Sequence, residues 1–296
     1  MKILITGANG MLGSSLLRYY YGKHKVYALH REKTCLSNCT QDYSLDLEDV
    51  VKVKKIINEI EPDLLIHCAG LTSVDRCEKE IELAFASNVN ATKNIALSCT
   101  DKTKMVYLST DQVYGNIRDF SENRINLKPI NQYGKTKLAG EKEVTQYSSD
   151  HIIIRTNIFG WNVKADRVSS AEWIYNTLMN GQNIKLFTDY TFSPIFTEYL
   201  AEIILQLVSI GYHGIINVGS PIPCSKYTFG IKLAEEFGFD IFLIKKGVLA
   251  NHNLDAHRSN KLDLNVNKYA NTGLFLPNYV ESIKKFSQRK PIYLNE

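Results

Sequence analysis

A glycine-rich turn near the amino terminus constrains the fold of this chain more than any other stretch. Residues 2–6 (KILIT) form a short apolar run typical of a buried parallel strand, and Gly7, Gly10 and Gly13 follow at three-residue spacing. A helical pattern then runs from 14 to 21. A strand, a glycine turn and a helix in this order let a pyrophosphate approach the backbone at the helix N-terminus. The spacing differs from the commoner Gly-x-Gly-x-x-Gly, but its context favours a dinucleotide site over a turn that only packs the helix on the strand.

Strand and helix patterns alternate through about residue 160, which predicts an α/β fold with a doubly wound parallel sheet of the Rossmann type. We predict a dinucleotide-binding domain over 1–160, to which 189–218 return, and a smaller C-terminal substrate-binding lobe over 161–188 and 219–296. The predicted strands are 2–6, 25–30, 63–68, 104–108, 151–155 and 214–218, and the predicted helices are 14–21, 50–60, 83–99, 171–179, 197–208 and 226–237.

The composition excludes several classes of protein. Of 296 residues, 44% are hydrophobic and 22% charged, as in ordinary globular proteins, and the net charge of +4 is too small to indicate a nucleic-acid partner. No apolar stretch is long enough to span a membrane, so we expect no membrane partner and a cytoplasmic location. No metal site is expected, and the six cysteines form no Cys-x-x-Cys pair, which favours reduced thiols. They are Cys35, Cys39, Cys68, Cys77, Cys99 and Cys224.

The end of the second predicted strand bears on the choice of cofactor. Arg31 and Glu32 follow that strand. An acid near this point usually holds an unphosphorylated ribose, whereas an arginine can hold a 2′-phosphate. The sequence therefore leans towards NADP (NADPH), with NAD as the alternative.

A tyrosine and a lysine four positions apart predict the catalytic centre. Tyr133 and Lys137 lie in a helix-forming segment, and this spacing puts both on one face of a helix. A cation near a phenol favours the phenolate and lowers the pKa of the phenol, as a proton donor to a carbonyl needs. The pair is common on surface helices, but the dinucleotide fingerprint gives it a chemical purpose.

Several motifs in this order carry a family resemblance. With TGANGMLG at 6–13, STDQVYG at 109–115 and YGKTK at 133–137, the chain resembles the extended short-chain dehydrogenase/reductases, and most of all the dTDP-4-dehydrorhamnose reductase group. Further motifs at 67–78, 87–96, 155–160 and 193–202 support it, so the resemblance covers nearly the whole chain.

The fingerprint and the resemblance together imply a set of functional residues. The catalytic residues would be Thr110, Tyr133 and Lys137. The cofactor would meet Gly7, Asn9, Gly10, Met11, Leu12, Gly13, Arg31, Asp46, Leu47, Cys68, Ala69, Gly70 and Ser109, together with Tyr133 and Lys137. The substrate would meet Thr72, Val74, Thr110, Gln112, Tyr133, Ile158 and Arg258, the last because a guanidinium matches diphosphate geometry. Asn88 would support the site from its helix, whereas Cys224, His252 and His257 are interpreted as structural or solvated.

Two departures from the resemblance limit what it implies about substrate. The related 4,6-dehydratases have a glutamate at the position of Gln112, and an amide cannot titrate, which disfavours dehydration. The rhamnose-forming reductases typically have an aromatic residue at the position of Gln112 and a tryptophan at that of Ile158. The resemblance therefore does not determine which sugar or which nucleotide the substrate contains.

The leading hypothesis for function is NADPH-dependent reduction of a keto group on a nucleotide-linked deoxysugar. The expected partner is a nucleotide-diphosphate sugar, and a homodimer is compatible with the sequence. One alternative is a nucleotide-sugar epimerase with tightly bound NAD. Another is a non-catalytic NADP-binding subunit resembling the regulatory subunit of methionine adenosyltransferase, which keeps the same tyrosine and lysine motif.

Overall fold

The computed structural model describes residues 1–32, 38–117, 120–163, 167–249 and 255–289. In this part of the chain strands and helices alternate through β6. The strands are β1 (Lys2–Thr6), β2 (Lys25–His30), β3 (Gln41–Ser44), β4 (Leu64–His67), β5 (Lys104–Thr110), β6 (His151–Phe159), β7 (Ile184–Phe187), β8 (Thr191–Phe192), β9 (Pro194–Phe196), β10 (Gly214–Val218), β11 (Cys224–Ser225), β12 (Ile244–Gly247) and β13 (Lys261–Leu262). The helices are α1 (Met11–Tyr20), α2 (Val50–Ile60), α3 (Val74–Lys79), α4 (Ile81–Phe85), α5 (Ala91–Ser98), α6 (Gln132–Tyr147), α7 (Ser170–Met179), α8 (Thr197–Ser209), α9 (Lys226–Phe237), α10 (Asn267–Ala270) and α11 (Tyr279–Ser287).

The central sheet confirms the predicted doubly wound α/β architecture. Its strand order is β10-β6-β5-β4-β1-β2-β3, all neighbours are parallel, and β9 adds a parallel pairing to the end of β6. The chain runs outward from β1 to β3 and then crosses to β4 on the other side of β1. Ligands of such sheets bind at this reversal, outside the carboxyl ends of the strands.

Helices cover both faces of the sheet, which explains why its strands are continuous apolar runs rather than alternating ones. On one face α1 packs against α8, with Leu16 and Ile204 fully buried. On the other face α2 packs against α5, with Ile57 and Ile95 buried. Loops and the predicted lobe lie at the carboxyl ends of the strands.

A third hydrophobic core belongs to the lobe and is rich in aromatic side chains. Trp161 stacks on Phe286 with ring centroids 4.1 Å apart, and Phe159 and Phe229 meet edge to face. Two small sheets, β11-β8-β13 and β7-β12, surround this core. The segment 189–218 was predicted to return to the dinucleotide domain. Within it, α8 and β10 lie on the main sheet, whereas strand β8 pairs with strands of the predicted lobe. The domain division stays a prediction.

The helix predicted over 83–99 is divided by a wide turn. α4 ends at Phe85, residues Ala86–Asn90 form one π-helical turn, and α5 follows. The turn places Asn88 towards the sheet edge, and periodicity alone carries no sign of such an insertion. No helix in the described ranges is both long and apolar enough to cross a membrane.

Candidate active site

The glycine turn after β1 is shaped by close backbone packing. Gly7 has φ +64°, and a Cβ there would lie 2.7 Å from the amide nitrogen of Ala69. A Cβ on Gly13 would lie 2.3 Å from the carbonyl oxygen of Gly7. Gly10 is less confined, with 3.2 Å to the same oxygen. Two of the three glycines therefore let α1 begin directly against the strand end, which keeps space above the turn for a ligand.

The N-terminus of α1 fits the pyrophosphate that the sequence predicts. Gly10 caps the helix without a side chain, and no acidic residue lies in the first turn. The amides at the start of the helix and its dipole therefore favour an anion. Asn9 and Met11 are half-buried beside the turn, and Leu12 is buried beneath it.

The predicted adenosine contacts lie side by side at the ends of β2 and β3. Arg31 is exposed, and its carbonyl oxygen accepts a hydrogen bond from Ser44 Oγ at 3.0 Å. The exposed Asp46 carboxylate accepts from the amide of Glu48, while Leu47 is buried. An exposed guanidinium at this edge is compatible with a ribose 2′-phosphate.

The segment after β4 is held by an asparagine side chain. Cys68, Ala69 and Gly70 pass close to the glycine turn, and Asn88 Oδ1 accepts from the amide of Leu71 at 2.7 Å. Asn88 Nδ2 donates to the Leu71 carbonyl and to Thr136 Oγ1, both at 3.0 Å. The buried amide thereby joins this segment to α6, as the resemblance implied.

The remaining residues predicted on this segment lie further out. Thr72 is exposed, and Val74 is half-buried at the start of α3.

Tyr133 and Thr110 meet at the carboxyl end of β5. The phenol of Tyr133, on the first turn of α6, lies beside the side chain of Thr110, which lowers the pKa of the phenol. Thr110 Oγ1 in turn donates to Asp111 Oδ1 at 3.1 Å. The predicted phenol and hydroxyl are thus brought together where the sheet opens.

The predicted effect of Lys137 on the phenol is not what the structure shows. Burial raises the pKa of Tyr133 above its usual range, and the neighbouring Asp111 raises it further, while the Thr110 hydrogen bond lowers it. The ammonium of Lys137 instead lies 4.1 Å from the ring centroid of Tyr107. Desolvation is therefore the largest influence on the pKa of the phenol, and the cation that we expected to lower this pKa faces Tyr107 instead.

Lys137 is itself a perturbed group. Burial lowers the pKa of its amine to about 8, although nearby Glu141 raises it. The ammonium faces the ring of Tyr107. This ring also stacks on the buried ring of His67, with 5.7 Å between the two ring centroids. This stack fixes the lysine by a cation–π contact.

Asp111 is a buried carboxyl beside Thr110, the threonine predicted to be catalytic. It is 1% exposed, and its Oδ2 accepts from Asn157 Nδ2 at 2.5 Å. Oδ1 accepts from Thr110 and, at 3.3 Å, from Gln112 Nε2. Burial nevertheless raises the pKa of Asp111 to about 6, against the effect of these hydrogen bonds and of Lys226.

Gln112 is buried in a network rather than facing open space. Its Oε1 accepts from Asn131 Nδ2 at 3.0 Å, and its side chain lies beside the phenol of Tyr190, whose pKa it lowers. Asn131 Nδ2 reaches the carbonyl oxygen of His257 at 3.0 Å as well. Protein partners thus already occupy the amide of Gln112, the residue that we predicted as a sugar contact.

The hydroxyl of Ser109 also has a hydrogen-bond partner within the protein. Its hydroxyl donates to Glu141, which forms a buried ion pair with Arg155 at 2.7 Å. Any contact of Ser109 with a cofactor would thus use its backbone.

Two predicted substrate residues have protein partners. Ile158 is half-buried and packs on the sheet core opposite Ile195 of β9. Arg258 Nη2 forms an ion pair with Asp75 Oδ2 at 2.7 Å. A diphosphate contact by Arg258 would share the guanidinium with this carboxylate.

The residues interpreted as structural occupy different places. Cys224 is a buried free thiol in β11, and His257 is exposed. Cys35 and His252 lie outside the described residues.

Sequence reasoning missed four residues near Asp111. Asn157, Asn131, Tyr190 and Lys226 reach it or its neighbour Gln112 from β6, the start of α6 and the lobe. No local pattern marks them, since they are far apart in the sequence and ordinary in type. Only the motif at 155–160, one of those that carry the resemblance, contains one of them, Asn157.

Comparison with known proteins identifies the family. Residues 1–291 match the family described as RmlD substrate binding domain. The chain belongs to this family. A probable low-salt glycan biosynthesis reductase of Haloferax volcanii is 32% identical over 272 residues, covering 90% of each chain. The match confirms the resemblance to the dTDP-4-dehydrorhamnose reductase group.

Solved structures of the RmlD family agree with this fold throughout. A dTDP-4-dehydrorhamnose reductase from Clostridium acetobutylicum superposes with a TM-score of 0.85 at 28% identity, covering 100% of both chains. A dTDP-4-dehydrorhamnose reductase from Bacillus anthracis, in complex with NADP, gives a TM-score of 0.83 at 26% identity, covering 96% of this chain and 98% of the other.

Proposed function

We propose that this RmlD-family chain is an NADPH-dependent reductase of a keto group on a nucleotide-linked deoxysugar. The observation that carries the proposal is the contact of Tyr133 with Thr110 at the open edge of the sheet, across from an uncapped helix N-terminus. The relatives named as reductases, one of them with NADP bound, support the cofactor and the reaction class.

The residues around the turn fit the dinucleotide. The glycines leave the backbone approachable, the α1 amides would bind the pyrophosphate, and Arg31 would bind the 2′-phosphate. When bound, the cofactor supplies a hydride to the carbonyl carbon of the substrate. The loop at 68–70, held by Asn88, would line its nicotinamide end.

The protein supplies the proton and the orientation. Burial keeps the phenol of Tyr133 protonated, so it is ready to give its proton to the carbonyl oxygen. Thr110 would donate to the same oxygen, and its single hydroxyl hydrogen would turn to that oxygen from Asp111, which accepts it in this structure. Lys137, held over Tyr107, would hold the nicotinamide ribose of the bound cofactor.

The test is NADPH consumption by the purified protein with a panel of nucleotide-linked 4-keto sugars. Tyr133→Phe removes the proton donor and keeps the ring, so we expect kcat to fall by about 10²- to 10⁴-fold. Tyr147→Phe at the other end of α6 is the matched control and should leave kcat unchanged.

Three outcomes would contradict the proposal. Equal rates for Tyr133→Phe and wild type would exclude the phenol as the acid. NAD that copurifies, without net NADPH use, would indicate an epimerase. NADPH binding without turnover of any keto sugar, together with capture of a partner enzyme, would indicate a regulatory subunit.

A further inference from the structure

A lysine of the predicted lobe lies near the buried carboxyl group of Asp111. Lys226 is the first residue of α9 and follows β11, whose Ser225 caps the helix. Its Nζ lies 3.6 Å from the ring centroid of Phe192 and 5.4 Å from that of Tyr190. Phe192 belongs to the short strand β8 and Tyr190 directly precedes that strand, and the phenol of Tyr190 lies near Gln112. The amine is therefore held on the side of the lobe that faces Thr110 and Asp111.

This position is unfavourable for a cation whose only role is stability. A positive charge at a helix N-terminus opposes the helix dipole, and no acidic residue lies in the first turn of α9. Burial lowers the pKa of the Lys226 amine to about 8, and the negative charge of Asp111 raises it. Within the described part of the chain no carboxylate forms an ion pair with this amine.

The acid that attracts Lys226 already accepts three hydrogen bonds from other residues. Both oxygens of Asp111 accept hydrogen bonds from Asn157, Thr110 and Gln112. The ammonium can therefore donate a hydrogen bond to another acceptor. Lys226 is only half-buried, so a bound molecule could supply that acceptor. An oxygen of a bound molecule next to the reacting carbonyl would complete the site.

We propose that Lys226 is a substrate-binding residue that donates a hydrogen bond to an oxygen on the sugar ring of the substrate, opposite Tyr133. This inference rests on the proposed function, since it needs a keto sugar at Thr110. The sugar is favoured over the diphosphate because Lys226 faces Asp111, which directly follows the catalytic threonine. The predicted diphosphate contact, Arg258, is ion-paired with Asp75, on α3.

The test compares Lys226→Met with a matched control. Methionine keeps the length and the ring contacts of the side chain but removes the charge. Lys232→Met makes the same change on the same helix, where Lys232 forms a surface pair with Glu235. We expect Lys226→Met to raise KM for the keto sugar nucleotide by roughly tenfold to a hundredfold, as for a lost charged hydrogen bond. The KM of Lys232→Met should equal that of wild type.

Inhibition by dTDP, which lacks the sugar, separates the sugar from the diphosphate. If Lys226 binds the sugar, the inhibition constant of dTDP stays the same in Lys226→Met. An equal rise in that constant would assign Lys226 to the diphosphate and overturn the proposal. An unchanged KM with a lowered melting temperature would show a purely structural lysine and also overturn it.

Failure of this inference and failure of the proposed function give different results. Wild-type protein that consumes no NADPH with any keto sugar contradicts the function itself. Active wild-type protein with an unaffected Lys226→Met variant contradicts only the role of the lysine. Binding of NADPH, followed by tryptophan fluorescence, should be the same in all three proteins.

Discussion

The carboxyl group of Asp111 combines complete burial with three hydrogen bonds, and its titration should be visible in stability. Its pKa in the folded protein is raised to about 6, compared with about 3.9 in an unfolded chain. A carboxyl group with a raised pKa contributes most to stability below about pH 4, and the contribution is lost as pH rises through about 6. Two pKa units correspond to roughly 3 kcal/mol.

Asp111→Asn removes this titration. We therefore expect the free energy of unfolding of wild type, relative to that of the variant, to fall by up to about 3 kcal/mol between pH 4 and pH 7. Urea denaturation of both proteins across this range measures the difference. A difference that does not change with pH would show that Asp111 keeps an ordinary pKa.

At the scale of elements, the join of β1 to α1 depends on Gly13. A Cβ at Gly13 would meet the Gly7 carbonyl at 2.3 Å, so Gly13→Ala must displace the turn or the helix. We expect a loss of about 1–3 kcal/mol in stability and weaker NADPH binding, because the same amides would bind the pyrophosphate.

The control is Gly247→Ala, whose Cβ would meet its nearest atom at an ordinary 3.5 Å. Urea denaturation and NADPH titration measure the two effects separately. Normal NADPH affinity in Gly13→Ala would show that the turn does not form the binding site.

The π-helical turn before α5 shows what a local pattern misses. The sequence predicted one continuous helix over 83–99, and the apolar spacing on either side is indeed helical. The extra residue in the turn brings Asn88 to Leu71 and Thr136. Those partners come from a loop and from α6, so the turn is a product of tertiary contacts.

At the scale of the whole molecule, a buried ion pair holds α6 to the sheet and to the lobe. Arg155 pairs with Glu141 and also donates to the phenol of Tyr114 at 3.1 Å. Tyr114 donates to Asn217, whose amide reaches the backbone of Phe120. This network runs from α6, the helix of Tyr133, through β6 and β10, and the Asn217 amide also donates to the carbonyl oxygen of Asn265 in the predicted lobe.

Breaking the pair should therefore destabilise the whole fold. Arg155→Met leaves Glu141 buried and unpaired, and we expect a cost of about 3–5 kcal/mol in urea denaturation. Arg76→Met is the control, because its pair with Glu80 is exposed and should cost less than about 1 kcal/mol. Similar costs for the two variants would contradict a special role of the buried network.

The sequence by itself determined the α/β class, the family and the placement of Tyr133 and Lys137 on one helix face. These follow from contacts local in the chain: apolar runs, glycine spacing and the helical repeat, each readable within a few residues. Strand ends were also predictable, because the carboxyl ends of parallel strands share one edge of the sheet.

Only the tertiary structure decided the environment of those groups. It set Lys137 over Tyr107, enclosed Gln112 between Asn131 and Tyr190, and brought Lys226 towards the catalytic edge. These contacts join positions that are distant in the sequence, and burial, which raises the pKa of the phenol, depends on everything packed around it. Charge at the site is therefore a property of the fold rather than of the motif.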